Sequence, residues 1–117
     1  MKKENILREK SYSFALRVIK LYKYLCDEKR EYVMSKQVLR SGTSIGAMVR
    51  ESEFAQSKAD FINKLSIALK EANETDYWLL LLKDSNYITK NMYNSVNIDI
   101  KEIISLLVSS VKTAKKT

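Results

Sequence analysis

Histidine and proline are absent from this sequence of 117 residues, and glycine occurs only twice, at Gly42 and Gly46. Without histidine, the chain lacks the commonest general base and the commonest transition-metal ligand. A Cys–His nucleophile is excluded, and so are the Glu-x-x-His pairs that hold the metals of di-iron and di-manganese bundles. No phosphate-binding or dinucleotide-binding glycine motif occurs. We therefore expect a protein that binds partners and is not an enzyme, with no cofactor and no metal.

Long apolar runs are also missing. The longest, residues 77–82, is far shorter than the roughly 20 residues that a membrane-spanning helix requires. The basic residues at the start of the sequence are not followed by an apolar stretch, so we expect no signal peptide. The single cysteine, Cys26, cannot form an intramolecular disulfide, and a free thiol is compatible with a reducing compartment. These features predict a cytoplasmic protein that does not associate with membranes.

Four segments carry the apolar periodicity of amphipathic helices, at about residues 11–28, 35–56, 58–85 and 90–114. The scarcity of proline and glycine favours helices throughout. The third segment gives the strongest signal, because its apolar and small residues recur at alternating spacings of 4 and 3 from Phe61 to Leu82. Short connections make neighbouring helices antiparallel. The sequence thus predicts a single all-α domain over residues 1–117, an antiparallel up-down-up-down four-helix bundle.

Polar residues at the segment boundaries predict where three of the helices begin and where one ends. Ser35, Ser57 and Thr89 are placed to accept a hydrogen bond from the first turn of the second, third and fourth helices. Asn86 is placed to adopt the left-handed conformation that terminates the third helix. These residues define connections of only a few residues.

The net charge of +7 is concentrated near the chain ends. In an up-down-up-down bundle both ends of the chain lie at the same end of the molecule, and residues 11–26 of the first helix add further basic residues without a single acid. Clustered lysine and arginine side chains can bind nucleic acid through its phosphates. The candidate nucleic-acid-binding residues are Lys2, Lys3, Arg8, Lys10, Arg17, Lys20, Lys23, Lys112, Lys115 and Lys116.

The end of the third helix is apolar on every side, because residues 77–82 contain no polar group other than the tyrosine hydroxyl and the indole N–H. The seam of a monomeric bundle needs only two of these six residues, so we expect a subunit interface here. The alternative is that long flanking side chains cover this surface. The candidate interface residues are Ile67, Glu74, Tyr77, Trp78 and Leu81.

The second helix contains the segment SGTSIG at residues 41–46. Each glycine in a helix interior costs about 1 kcal/mol relative to alanine, so another interaction should offset this loss. Two explanations stay open. The small residues can permit close approach of another helix, or the hydroxyl groups of Thr43 and Ser44 can contact a nucleic acid or ligand.

Several of these segments carry a family resemblance, namely residues 40–47 (RSGTSIGA), Glu51, residues 60–62 (DFI) with Lys64 and Leu65, residues 67–72 (IALKEA), Glu74 with Thr75, and residues 77–79 (YWL). The chain resembles the bacterial four-helix-bundle proteins encoded in intervening sequences of 23S ribosomal RNA genes, which are often labelled ribosomal proteins. The resemblance implies a bundle that assembles into a homopentamer with a basic surface. A related branch serves as the accessory subunit of reverse transcriptases in diversity-generating retroelements. Met48 departs from the pattern, because the family usually has asparagine there.

Two hypotheses about function follow. The first is a homo-oligomeric, typically pentameric, bundle that binds or scaffolds RNA or DNA through its basic surface. The second is an interaction module that recruits a protein partner and whose positive charge only aids solubility, since net charge alone does not establish nucleic-acid binding.

Overall fold

The structure, a computed structural model, describes the backbone of residues 3–117 and the side chains from Ile6 onward. Within that range the chain forms four helices and no strand, which confirms the all-α prediction. The helices are α1 (Lys3–Asp27), α2 (Met34–Ser52), α3 (Lys58–Asp84) and α4 (Lys90–Lys116).

Each helix packs against the helix that follows it in the chain, and α4 packs back against α1. The four elements therefore lie at the corners of a square in chain order. The start of α1 and the end of α4 meet the α2–α3 connection, since Leu7, Ser52, Leu65 and Ser110 surround one small internal cavity. This arrangement is the predicted antiparallel four-helix bundle, and it brings both described ends of the chain to the same end, which we call the terminal end.

α1 begins at Lys3 rather than near residue 11. Its buried residues repeat at heptad spacing and start with Leu7, which is only 2% exposed. The charges of residues 8–10 hid this first turn from the sequence pattern, although they lie on the outer side of a helix that continues. The complete α1 seam consists of Leu7, Ser11, Phe14, Val18, Leu21 and Leu25.

The predicted N-cap Ser35 is wrong. α2 starts at Met34 after Val33, which provides no side-chain cap. The buried carboxylate of Glu31 accepts hydrogen bonds from the backbone N–H groups of Val33, Met34 and Ser35, at 3.2, 3.0 and 2.7 Å. The Ser35 hydroxyl is buried and donates back to the Glu31 carbonyl. Glu31, four residues before Ser35, therefore accepts hydrogen bonds from backbone N–H groups that have no partner within the first turn of α2.

The other predicted boundary residues are confirmed. Ser57 accepts from the N–H of Asp60, Thr89 accepts from the N–H of Met92, and Asn86 has a φ of 69°. α2 ends at Ser52, earlier than the predicted residue 56. Beyond Ser52 the backbone tightens to i→i−3 hydrogen bonds, which run from the N–H of Glu53 to that of Ala55, and a short connection leads to α3.

The two glycines of α2 lie against α1. A Cβ atom on Gly42 would lie 2.8 Å from Cγ2 of Val18, and one on Gly46 would lie 3.4 Å from the carbonyl oxygen of Ser11. The hydroxyl groups of Thr43 and Ser44 donate to backbone carbonyls one turn earlier in α2. Close helix packing thus accounts for the glycines, and the two hydroxyl protons are engaged within α2.

No helix in the described part of the chain is long and apolar enough to cross a membrane.

Candidate nucleic-acid interface

Three of the candidate basic residues lie on α1 and form ion pairs with neighbouring helices. Arg8 Nε lies 2.7 Å from Glu53 Oε1, and Lys10 Nζ lies 2.5 Å from Glu102 Oε1. The hydrogen bond to Glu102 raises the pKa of the Lys10 ammonium group above its usual value. These pairs are solvent-exposed, so their contribution to stability is small, but they cancel part of the charge expected on this surface.

Arg17 is the third and the most firmly held. Its Nη1 donates to Asp99 Oδ2 at 2.7 Å and to the backbone carbonyl of Ser95 at 3.1 Å. Its Nη2 also contacts the hydroxyl of Ser95. The guanidinium group therefore forms a bridge from α1 to α4, which fixes its plane.

The remaining candidates divide into two groups. Lys112, Lys115 and Lys116 are exposed at the end of α4, at the terminal end, and Lys20 and Lys23 are exposed near the other end of α1. About 22 Å of helix separates Arg8 from Lys23 at 1.5 Å per residue. Lys2 lies outside the described residues, and only the backbone of Lys3 is described. The sequence-based set is thus two cationic surfaces rather than one.

No carboxylate of the described residues lies within 4.0 Å of the ammonium groups in these two groups. Most acids elsewhere in the bundle already have partners. Six of them pair with arginine or lysine across helix boundaries, namely Glu51, Glu53, Glu71, Glu74, Asp99 and Glu102. The excess positive charge is therefore carried by exposed, uncompensated lysines.

The seam between α1 and α4 is the least closely packed of the four, and two grooves open along it. The lower groove, toward the terminal end, measures about 570 Å³, and the upper groove measures about 470 Å³. Arg17 lines both and separates them. The lower groove contains the carboxylates of Glu9, Asp99 and Glu102.

The upper groove contains no carboxylate among its described lining residues. Its apolar lining comes from both helices and from the residues that precede α4, and its polar groups lie at the rim. Tyr24 and Met92 are half-buried and pack against the core from opposite sides. The lining residues are Arg17, Lys20, Leu21, Tyr24, Ile88, Asn91, Met92, Ser95 and Val96.

The candidate oligomer interface on α3 is partly covered within the protomer. Trp78 Nε1 donates to Glu74 Oε2 at 2.9 Å, and Glu74 also pairs with Arg40 of α2. Tyr77 is 56% exposed and lies edge-on to Trp78, with ring centroids 5.4 Å apart. Ile67 and Leu81 are half-buried. The indole therefore lies along α3 toward α2, and Tyr77 is the most exposed of the five candidates.

Sequence periodicity missed other exposed apolar side chains. Phe54 is 81% exposed in the α2–α3 connection, Val33 precedes α2, and Ile98 lies on the outer side of α4. Val33 and Phe54 lie just outside the helices, and Ile98 lies between two core positions of α4. The spacing of apolar residues therefore does not distinguish these three from core residues.

A polar cluster on the α3–α4 seam was also missed. Tyr93 donates to Asp76 Oδ1 at 2.7 Å, and the Asn97 amide donates to the same oxygen at 2.8 Å. The Lys83 ammonium group lies 4.8 Å from the Tyr93 ring centre. Burial, followed by the hydrogen bond to Asp76, raises the pKa of the Tyr93 phenol to about 12. The cluster joins two helices and leaves no unpaired acid for chemistry.

Within residues 6–117 no three acidic or cysteine side chains come together in a way that could hold a metal ion. The carboxylates of Glu71 and Glu74, one turn apart on α3, both pair with Arg40. The half-buried Cys26 thiol lies 3.9 Å from both the Glu31 carbonyl and the Ser35 hydroxyl, as a filler beside the start of α2.

Comparison with known proteins identifies the family to which this bundle belongs. Residues 3–109 match the family model described as 23S rRNA-intervening sequence protein. A crystal structure from Bacteroides thetaiotaomicron, described as a protein with unknown function from the S23 ribosomal protein family, is 60% identical and superposes with a TM-score of 0.94. The match covers 95% of this chain and 99% of that one. No curated protein matches. Neither description indicates a catalytic activity. The chain therefore belongs to the 23S rRNA-intervening sequence protein family.

Proposed function

We propose that this protein is a non-enzymatic, cytoplasmic homo-oligomer that binds or scaffolds nucleic acid through its exposed lysines. The observation that carries the proposal is the distribution of charge partners. Acids in the body of the bundle are paired, whereas Lys112, Lys115 and Lys116 at the end of α4 and Lys20 and Lys23 on α1 face solvent with no acid within 4.0 Å among the described residues.

Unpaired lysines suit phosphate binding, because no internal ion pair must be broken when a phosphate arrives. Each phosphate that is neutralised releases condensed counterions from the nucleic acid, so the affinity should fall steeply as salt rises. Phosphate contacts carry little sequence information. We therefore expect binding that depends strongly on salt and weakly on sequence.

Oligomerisation would multiply this surface. Tyr77, Trp78 and Leu81 form a contiguous aromatic and aliphatic surface at the end of α3, and Tyr77 is more than half exposed. Aromatic residues of this kind are enriched at the centres of subunit interfaces. A closed ring, typically a pentamer as the family resemblance implies, would present the same lysines from every subunit on one face.

The test is a binding titration of RNA and DNA across a range of salt concentrations. The triple variant Lys112→Ala, Lys115→Ala and Lys116→Ala should weaken binding. Each phosphate contact on a single strand contributes about 0.7 to the magnitude of the slope of log K against log salt concentration, so the loss of three contacts should reduce that magnitude by about 2. A triple variant of equal charge, Lys36→Ala, Lys70→Ala and Lys101→Ala, is the control for clustering. These lysines are also exposed with no acid within 4.0 Å among the described residues, but they lie apart on α2, α3 and α4.

A larger effect of the α4 variant than of the control would support the proposal. Affinity that does not change with salt, absence of binding at low salt, or equal losses in the two variants would contradict it.

The second candidate function is recruitment of a protein partner. The observation that favours it is Phe54, whose ring is 81% exposed at the terminal end. Aromatic residues, phenylalanine among them, are enriched in protein interfaces. Recovery of one stoichiometric protein partner together with no nucleic acid would support this function over the first.

A further inference from the structure

We propose that the upper groove holds one unpaired base of a single-stranded nucleic acid, with the adjoining phosphate contacted by Lys20. This inference rests on the proposed function and names the form of nucleic acid that is bound and the place where a base is held. Neither the exposed lysines nor the family description specifies the form of nucleic acid or the position of a base.

The groove has the dimensions and lining of a small-ligand site. Its volume of about 470 Å³ falls in the range of ligand-binding clefts, which are mostly apolar with a few polar groups at the edge. Tyr24 contributes an aromatic ring from α1, and Met92 and Val96 contribute apolar surface from α4. A base is flat and apolar on its faces and polar at its edges, so its faces match this lining and its edge can reach Asn91 at the rim.

Charge distinguishes the two grooves of the seam. The lower groove contains three carboxylates, which would repel a phosphate. The upper groove contains none, and Lys20 on its rim is exposed with no acid within 4.0 Å among the described residues. Lys23, one turn further along α1, is exposed as well. An anionic ligand with an aromatic group therefore fits the upper groove and not the lower one.

The length of the groove favours a nucleotide over a helix of a protein partner. The groove runs along α1 from Arg17 to Tyr24, which is about 10 Å at 1.5 Å per residue. Its lower end is closed by the Arg17 bridge to Asp99 and Ser95. The side chains at positions i and i+7, with which a docked helix contacts a groove, are also about 10 Å apart. The next turn of such a helix would therefore collide with the Arg17 bridge.

Bases in a duplex are stacked and paired, and one can enter such a groove only after it is flipped out at a cost. Single strands present their bases freely, and stacking of bases on aromatic side chains is the common mode of single-strand binding. The groove therefore predicts a preference for single strands.

The experiment compares three probes by fluorescence anisotropy: a single-stranded oligothymidine, an abasic strand of the same length and charge, and a duplex. We expect the protein to bind the oligothymidine at least about fivefold more tightly than the abasic strand, which is the ratio that corresponds to the lower limit of stacking per base. Tyr24→Leu should reduce this ratio to near one without changing the affinity for the abasic strand.

Tyr12→Leu is the matched control, because Tyr12 is an exposed tyrosine of α1 that faces α2 instead of the groove. It should leave the ratio unchanged. Asn91→Met extends an aliphatic side chain over the groove from an exposed position on α4, so it blocks the same site without adding a stacking surface if Tyr24→Leu does not fold. It should also reduce the ratio to near one.

The outcomes separate this inference from the proposed function. Salt-dependent binding with equal affinity for oligothymidine and the abasic strand would overturn the inference and leave the proposed function standing. Absence of binding to all three probes would overturn both. A variant that changes the oligomeric mass in light scattering while the ratio persists would identify the groove as a protein interface, which also overturns the inference.

Discussion

The two glycines of α2 provide a direct test of how α1 and α2 pack, because the same substitution should have opposite effects at the two positions. Gly42 faces Val18, whose Cγ2 and Cγ1 atoms would lie 2.8 and 2.9 Å from a new Cβ. Real Cβ atoms essentially never show such distances. Val18 is 1% exposed and β-branched, so its methyl groups have little freedom to move away.

The expected magnitude combines two terms. Overpacking of a well-packed core costs about 1–3 kcal/mol. Replacement of glycine by alanine within a helix stabilises the helix by about 1 kcal/mol. Gly42→Ala should therefore lower the free energy of unfolding by about 1 kcal/mol. A Cβ on Gly46 would meet the Ser11 carbonyl oxygen at 3.4 Å and the Ser11 hydroxyl oxygen at 3.5 Å, which are ordinary contacts, so Gly46→Ala should raise the free energy of unfolding by up to about 1 kcal/mol.

Urea unfolding followed by circular dichroism at one fixed protein concentration measures both changes, since association would otherwise shift the apparent stability. Val18→Ala removes the two methyl groups that Gly42→Ala would meet, so the double variant should be more stable than the sum of the single changes implies. A Gly42→Ala variant at least as stable as the wild type, or a strictly additive double variant, would contradict the contact between Gly42 and Val18.

Four further outcomes are expected. Burial removes solvent from the Glu31 carboxyl, but hydrogen bonds from the start of α2 outweigh this effect and lower its pKa below 4.5. Glu31→Gln should lower the free energy of unfolding by about 1–2 kcal/mol near pH 7. This difference should shrink as the pH falls below 4.5 through the lower pKa of the native state. Tyr93 should stay un-ionised in ultraviolet titration at pH values where exposed tyrosines ionise, because its pKa is raised to about 12 by burial and by Asp76. Trp78→Lys should give a soluble species of smaller mass in light scattering. Ser110→Ala should keep or raise the unfolding midpoint in urea, because the buried hydroxyl has no hydrogen-bond partner among the described residues.

A different result would contradict each of these four expectations. Glu28→Gln, at an exposed position in the same connection, should not change stability, and an equal loss there would remove the capping explanation for Glu31. Ionisation of all tyrosines in a single step would contradict the environment of Tyr93. An unchanged mass for Trp78→Lys would exclude the α3 interface, and marked destabilisation by Ser110→Ala would show that its hydroxyl has a partner.

The fold was predictable because the seams of α3 and α4 repeat at coiled-coil spacing and their caps are standard. Ser57, Thr89 and Asn86 each act through a local hydrogen bond or a local φ angle, which the sequence pattern expresses directly. The failures have equally local causes. The start of α1 was missed because charged residues surround Leu7, and the cap of α2 was misassigned because Glu31 reaches forward over four residues, outside the usual N-cap pattern.

The candidate site was less predictable, because charge counting along the chain does not show which charges are paired. Arg8 pairs with Glu53 at the end of α2, whereas Lys10 and Arg17 pair with acids of α4, and only tertiary structure reveals those pairs. Likewise, Tyr24 gave no stronger sequence signal than the other tyrosines. Its place in the lining of the groove follows from the position of α4, which periodicity alone does not determine.

The α1–α4 seam differs from the others in how it is held together. The α2–α3 seam has a buried hydrogen bond between Thr75 and Ser41, and the α1–α2 seam has glycines that let the backbones approach closely. Two surface ion pairs, from Lys10 and Arg17, span the α1–α4 seam instead. Such pairs contribute little to stability but hold side chains in place, so this seam can remain open around Arg17. An open seam flanked by unpaired lysines is where a ligand can enter without disrupting the core.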